Sequence, residues 1–226
     1  MAKPIVDSSE FQTFAEAVRA VQHAAGLTPS RRNAQNDPSL AIGVTSPRVH
    51  DGKTTFARAL AGSLAEDLGV DVTRVDADFH THSIGEEYGL AGRRGLSEVL
   101  RGSAGPDAVS HRLPHGTLRV VPVGATLQDS ARIARSQYAA EFVENMKATN
   151  QYVVFDLPTA TSSTTAPVLA RLLDGVIVVV RTGRTTRQEL DQALQRLRGA
   201  NIIGVVLNDW NTKIPRLLEH SLGLKA

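Results

Sequence analysis

Apolar and polar positions follow two rhythms along the chain, and the rhythm changes often. Near the start, Phe11, Phe14, Ala15, Val18 and Val21 recur at the spacing of one helix face, predicting a single amphipathic helix over 8–25. The stretch GLTPSRRNAQNDPS mixes Gly, Pro, Ser and Asn with two arginines and reads as a linker. Residues 1–38 are therefore expected to form a helix and linker, and 39–226 the main domain. From there, short β-rich runs alternate with helical patterns. LAIGVTS, DVTRVD, TLRVVPVG, YVVFDLP, GVIVVVR and NIIGVVLN are the expected strands, with helices starting near Lys53 and covering 129–148 and 185–198. The run Val176 to Val180 is apolar on both faces, as suits a parallel strand covered by helices on each side. The fold class is α/β, a doubly wound and mostly parallel sheet with helices on both faces.

That alternation places VTSPRVHDGKTT, from Val44 to Thr55, between the first core strand and its helix, the context a phosphate-binding loop requires. The loop ends as a P-loop does, in Gly52, Lys53 and Thr54, while its first glycine position is Pro47. Loop N–H groups and the following helix N-terminus are expected to face phosphates, with Lys53 on the terminal phosphates, Thr54 on Mg²⁺ and Thr55 in support. Its middle carries Arg48, Val49, His50 and Asp51. His and Asp visit positive φ at a cost relative to Gly, so a weaker grip on nucleotide is expected. The plain alternative is an ordinary strand-to-helix turn with an exposed Lys53.

Acids recur at the ends of the expected strands. Asp76 and Asp78, in VDADFHTHS, lie two apart, so in an extended segment both carboxylates share one side and can position Mg²⁺ and its waters. Asp156 ends the apolar run YVVFDLP as a Walker B acid does, where ligands gather in open α/β sheets. The alternative for any one of these acids is a turn or helix-cap role.

Composition narrows the field. The 226 residues and a hydrophobic fraction of 42% allow a large core. Lys plus Arg number 25 against 23 for Asp plus Glu, too even a balance to recruit nucleic acid. The chain has no cysteine, which excludes disulfides and thiolate metal sites. The opening MAKPIVDSSEFQ is not a signal peptide, and no apolar run approaches the roughly 20 residues of a membrane span, so a cytoplasmic protein without a transmembrane segment of its own is expected. HTH at 80–82 and HRLPH at 111–115 do not have the spacing of a closed zinc site.

In order, VTSPRVHDGKTT, VDADFH, GLSEVLRG, LRVVPVG, YVVFDLP, LLDGVIVVVRTGRTTR and GVVLN resemble the bacterial tyrosine kinases of capsule and exopolysaccharide systems, relatives of the partition-type ATPases. The likeness runs from about Leu40 to Asn208. It implies binding of ATP or ADP with Mg²⁺, with Gly52, Lys53, Thr54 and Thr55 in the Walker A role. It further implies Asp76 and Asp78 as the second acidic motif, which helps activate the tyrosine hydroxyl and holds Mg²⁺, Asp156 as Walker B, and Asn208 near the base. Thr54, Asp78 and Asp156 are the implied Mg²⁺ ligands. Which of Asp76 and Asp78 does which is open. The implied partner is a membrane polysaccharide co-polymerase or export protein. Family members also carry an E-x-x-R-x-x-R helix that docks on a neighbouring subunit; EAVRAVQ supplies Glu16, Arg19 and then Gln22, a partial match for homo-oligomer formation, with a surface ion pair as the alternative. The signature lysine of the partition-type ATPases is replaced by Arg48. Family kinases label a tyrosine-rich tail, but DWNTKIPRLLEHSLGLKA after Asn208 has none. An internal site such as Tyr88 in IGEEYGLAGRRG, or a partner's tyrosine, is the expected acceptor; Tyr152 is expected in the core. A catalytically weak or inactive nucleotide-switch or scaffold protein of the same fold, and a partition-type positioning ATPase, are the competing functions.

Overall fold

A computed structural model of the chain describes residues 5–7, 14–27, 39–114, 116–127 and 129–209. In chain order the elements are β1 (Ile5–Asp7), α1 (Phe14–Ala24), β2 (Leu40–Thr45), α2 (Lys53–Leu68), β3 (Val72–Asp76), α3 (Ser83–Glu87), α4 (Leu96–Leu100), α5 (Pro106–Val109) and β4 (His111–Arg112). They continue with β5 (Leu118–Val121), α6 (Ser130–Ile133), α7 (Gln137–Thr149), β6 (Tyr152–Asp156), α8 (Ala166–Ala170), β7 (Gly175–Arg181), α9 (Arg187–Arg196) and β8 (Ile202–Asn208).

All eight strands join one sheet in the order β1-β8-β7-β2-β6-β3-β5-β4. Every pairing is parallel except β4 with β5. The sheet separates two cores. On one side Ile42, Val44, Val154 and Ile177 pack against Phe56, Leu60 and Leu64 of α2 and against Val18 and Val21 of α1. On the other, Val75, Val153, Phe155 and Val178 meet Phe142 and Met146 of α7, Leu169 of α8 and Ala193 of α9. Two-sided cover is why a central strand such as β7 carries an unbroken run of Val and Ile rather than an alternating pattern.

The doubly wound parallel architecture expected from the pattern is present. Details differ where short segments obey tertiary contacts. The single helix expected over 129–148 is divided into α6 and α7, because Ser136 takes extended backbone (φ −68, ψ 157) and sends its hydroxyl to the Leu100 carbonyl at 3.4 Å. The motif GLSEVL forms a splice: the Leu96 and Ser97 N–H groups donate to Pro122 and Val123 at 2.9 Å each, and Glu98 accepts the Gly95 N–H at 2.7 Å. Strand β1 had no expected counterpart. Residues 8–13 of the expected first helix, most of the linker and the segment after Asp209 lie outside the described residues.

Candidate active site

Parallel register sets the site. β6 lies between β2 and β3, and Asp156 stands opposite both Val44 and Asp76. The strand ends thus deliver the loop after β2 and the acids of β3 and β6 to one place. Asp76 and Asp156 are fully buried, and Asp78 is 5% exposed.

The loop is shaped by its own side chains. His50 adopts φ 65 and Gly52 φ 101, both left-handed. A Cβ on Gly52 would run into the Asn208 amide. Glycine is therefore required at position 52 by conformation and by space, whereas His50 bears the strain that glycine would relieve. Asp51 is buried and its carboxylate accepts the Arg48 N–H at 3.0 Å, while Asn208 Nδ2 donates to the Asp51 carbonyl at 2.9 Å. Arg48 turns outward, 3.2 Å from Glu189 of α9 and bonded to the Arg184 carbonyl at 3.4 Å. α2 then begins with no side-chain cap, so its first-turn N–H groups are left to an outside acceptor.

Lys53, the first residue of α2, donates to Asp78 Oδ2 at 2.8 Å and lies 3.6 Å from Asp156 Oδ1 and 3.5 Å from Thr54 Oγ1. Burial disfavours its charge, but Asp156 and Asp78 more than offset this and hold its pKa above the ordinary lysine value. Among the described residues Asp156 has no hydrogen-bond partner for either oxygen. Burial pushes its carboxyl up, and Lys53 and Arg74 oppose that shift. Asp76 is more fully engaged: Oδ2 accepts the Ser83 hydroxyl at 3.0 Å and the Ile84 N–H at 3.2 Å, and Oδ1 accepts the Asp78 N–H at 3.2 Å. Burial, then Asp156, raises its pKa to about 6. Asp76 therefore also serves as the acid that caps α3.

A cleft of about 470 Å³ opens onto this cluster, lined in part by His50, Gly52, Lys53, Thr54, Thr55 and Asp78. The donor set fits a Mg-nucleotide: an uncapped helix, a charged lysine, a hydroxyl, and behind them an Asp156 carboxylate held by ion pairs without a hydrogen bond among the described residues. Glu16 and Arg19 are not brought to the cleft. Arg19 forms a fork with Asp67 near the far end of α2, at 2.9 and 3.0 Å, on the order of 20 Å along the helix from Lys53. Gln22, in the place of the family's last arginine, is 3% exposed.

Arg74 belongs to none of the motifs. It is fully buried on β3, with Nη1 2.8 Å from Glu87 Oε2 and Nη2 3.8 Å from Asp156 Oδ2. The signal was available in DVTRVD: an arginine inside an apolar strand, two before Asp76 and so on its face. Tyr88 follows α3 and is half-buried, its phenol raised by burial and by Glu87, while Tyr152 is core, its hydroxyl on the Leu27 carbonyl at 2.9 Å.

No family model matches the chain. The tyrosine-protein kinase CpsD of Streptococcus agalactiae is 27% identical over 176 residues, 76% of this chain and 75% of that protein. The succinoglycan biosynthesis transport protein ExoP of Rhizobium meliloti is 28% identical over 213 residues, 92% of this chain but 26% of ExoP. Among solved structures, the kinase domain of the Escherichia coli tyrosine kinase ETK superposes with a TM-score of 0.77 at 23% identity, covering 86% of this chain and 74% of that one. A cobyrinic acid a,c-diamide synthase from Mycobacterium smegmatis, with bound ADP and magnesium, superposes at 0.63 with 16% identity, over 82% and 80% of the two chains. The order of strands, the glycine-lysine-threonine loop and these likenesses agree: the chain is similar in sequence to bacterial tyrosine kinases and shares its fold with P-loop nucleotide-binding proteins.

Proposed function

We propose that this chain is an ATP-dependent phosphoryl-transfer module of the tyrosine-kinase type, serving synthesis or export of a surface polysaccharide from the cytoplasmic face of the membrane through a membrane-protein partner. The observation that carries it is the convergence of Lys53, Asp78 and Asp156 beside the uncapped start of α2. When bound, Mg-ATP would supply the phosphoryl group and a divalent charge. Lys53, Thr54 and the first turn of α2 would hold its phosphates; Thr54, Asp78 and Asp156 would hold the metal; Asn208 braces the loop and would lie near the base. In the transfer, the bond from the γ-phosphorus to the ADP oxygen breaks, a bond to the tyrosine oxygen forms, and the phenolic proton leaves to a base. Asp76, raised to about 6 and with capacity left on Oδ1, is suited to accept it near neutral pH. Among the described tyrosines only Tyr88 and Tyr138 stand outside the core, so the acceptor is one of these or a partner's tyrosine.

Titrating the protein with Mg-ADP in a calorimeter tests the reading. Binding that Lys53→Ala abolishes supports it; a folded protein giving no heat at millimolar nucleotide rejects it. A second reading, nucleotide control without turnover, draws on the engagement of Asp76 with Ser83 and Ile84 and on the left-handed His50. Mass-spectrometric mapping after incubation with Mg-ATP and a candidate partner separates them: phosphotyrosine lost in Asp76→Asn or Asp78→Asn supports the kinase, and bound nucleotide with neither phosphotyrosine nor hydrolysis supports the switch. The partition-type alternative is disfavoured by Arg48, which is taken up by Glu189 of its own chain.

A further inference from the structure

Arg74 occupies a position where a parallel core strand ordinarily carries Val or Ile. Its Cα partners in the neighbouring strands are Val154 and Val120. A buried guanidinium is costly unless it is paired, and here Nε and Nη2 have no hydrogen-bond partner among the described residues. Its one strong contact is Glu87, which also lies 3.6 Å from Arg58 of α2.

The Asp156 carboxylate has a cation on each side and no hydrogen bond: Lys53 toward the cleft at 3.6 Å, and Arg74 behind it at 3.8 Å. Lys53 is the group a phosphate would recruit. Arg74 cannot be recruited, because it is sealed beneath the site and Glu87 holds its other end. An arginine also stays charged at any pH of interest. The segment between Asp78 and Glu87 is fastened twice to the acid cluster, by Asp76 at Ser83 and Ile84, and by Glu87 through Arg74.

We propose that Arg74 is a positioning residue: a buried tether from Glu87 to Asp156 that fixes the Asp156 carboxylate and helix α3 together and thereby sets the affinity of the cleft for Mg-nucleotide. The affinity arm rests on the function proposed for the cleft; the tether itself does not. Full-length wild type, Arg74→Met, Arg74→Lys and Glu87→Gln are compared in two measurements. In ligand-free protein, amide hydrogen exchange at Ile84 is expected to speed about tenfold in Arg74→Met, and several-fold in Glu87→Gln, beyond any change shared by the β6 and β7 amides. With a fluorescent ADP and Mg²⁺, Arg74→Met is expected to raise the Kd about tenfold, the scale of one modest coupling, while Arg74→Lys stays within about threefold of wild type. Exchange at Ile84 that changes only in step with the whole domain, or Arg74→Met binding nucleotide as wild type does, overturns the inference. If Arg74→Met does not fold, Glu87→Gln cuts the tether from its more exposed end, and the same two outcomes decide for or against it. A wild-type protein that binds no nucleotide rejects the proposed site, and exchange at Ile84 then decides the tether by itself.

Discussion

Helix α2 carries an ion pair at each end, and the two differ in a way geometry alone would misjudge. Near its C-terminus Asp67 receives the Arg19 fork through two well-formed hydrogen bonds and a third from Ser63. At its N-terminus Lys53 makes one good bond to Asp78 and a loose approach to Asp156. The better-formed pair lies in water, where solvent and salt compete for both partners, and contributes little. The poorer one is buried, where each charge depends on its neighbours and losing one strands the others. The Glu16 and Arg19 helix, the more suggestive pattern on paper, is satisfied within its own chain through Arg19. The chemically loaded end is the one that leaves atoms unpaired.

Breaking the buried end should have the largest effect. Lys53→Met leaves Asp78 and Asp156 without their shared cation and is expected to destabilise the fold by about 3–5 kcal/mol in urea denaturation at neutral pH; an unchanged midpoint would show that the buried pair is energetically idle. Next comes the pH dependence of Asp76. Its carboxyl is raised from 3.8 to about 6 in the folded state, so across that interval the folded protein keeps a proton that the unfolded chain has released. Its contribution to stability therefore falls as pH rises, by on the order of 3 kcal/mol, and levels off above the folded value. Glu87 and Asp67, held low in the folded state, slope the other way, so the measurement is the difference between wild type and Asp76→Asn across pH 4 to 7. A constant difference would refute the shift. A smaller effect is expected at the loop, where His50→Gly removes a left-handed non-glycine residue: nucleotide binding should tighten a few-fold, with the fold gaining no more than about 1 kcal/mol. Arg19→Ala should move the denaturation midpoint least, and concentrated salt should erase what difference there is; a larger loss than for Lys53→Met would invert the comparison.

What the chain discloses before folding follows the same division. Central strands such as GVIVVVR were legible because burial on both faces demands apolar residues throughout. The turn between β2 and α2 was legible because its conformation requires glycine at position 52. Asp76, Asp78 and Asp156 each stood out as acids at strand ends, but their different surroundings did not, since only the register of β3 beside β6 sets Asp76 opposite Asp156 and only the fold of the following loop brings Ser83 and Ile84 onto Asp76. Arg74 escaped notice because an arginine in a strand reads as an edge or surface residue until its neighbours are known. The break at Ser136 and the docking of Leu96 and Ser97 on the end of β5 also depend on partners remote in sequence. Elements of four or five residues have too little periodicity to announce themselves.

The pairing of β1 with β8 joins Ile5 to Val205 across nearly the whole chain. A ribosome adding about 5–20 residues per second releases β1 first and its partner on the order of 10–40 seconds later. During that interval the strand has no ladder to join, whereas β2, β6 and β3 can already be assembling around α2. The flank of the sheet is thus completed last, after the turn between β2 and α2 has its framework, and closing so long a loop carries a high entropic cost that the three-residue strand must offset with few hydrogen bonds. In the finished protein this makes β1 the first strand expected to open, uncovering β8 to whatever edge can replace it.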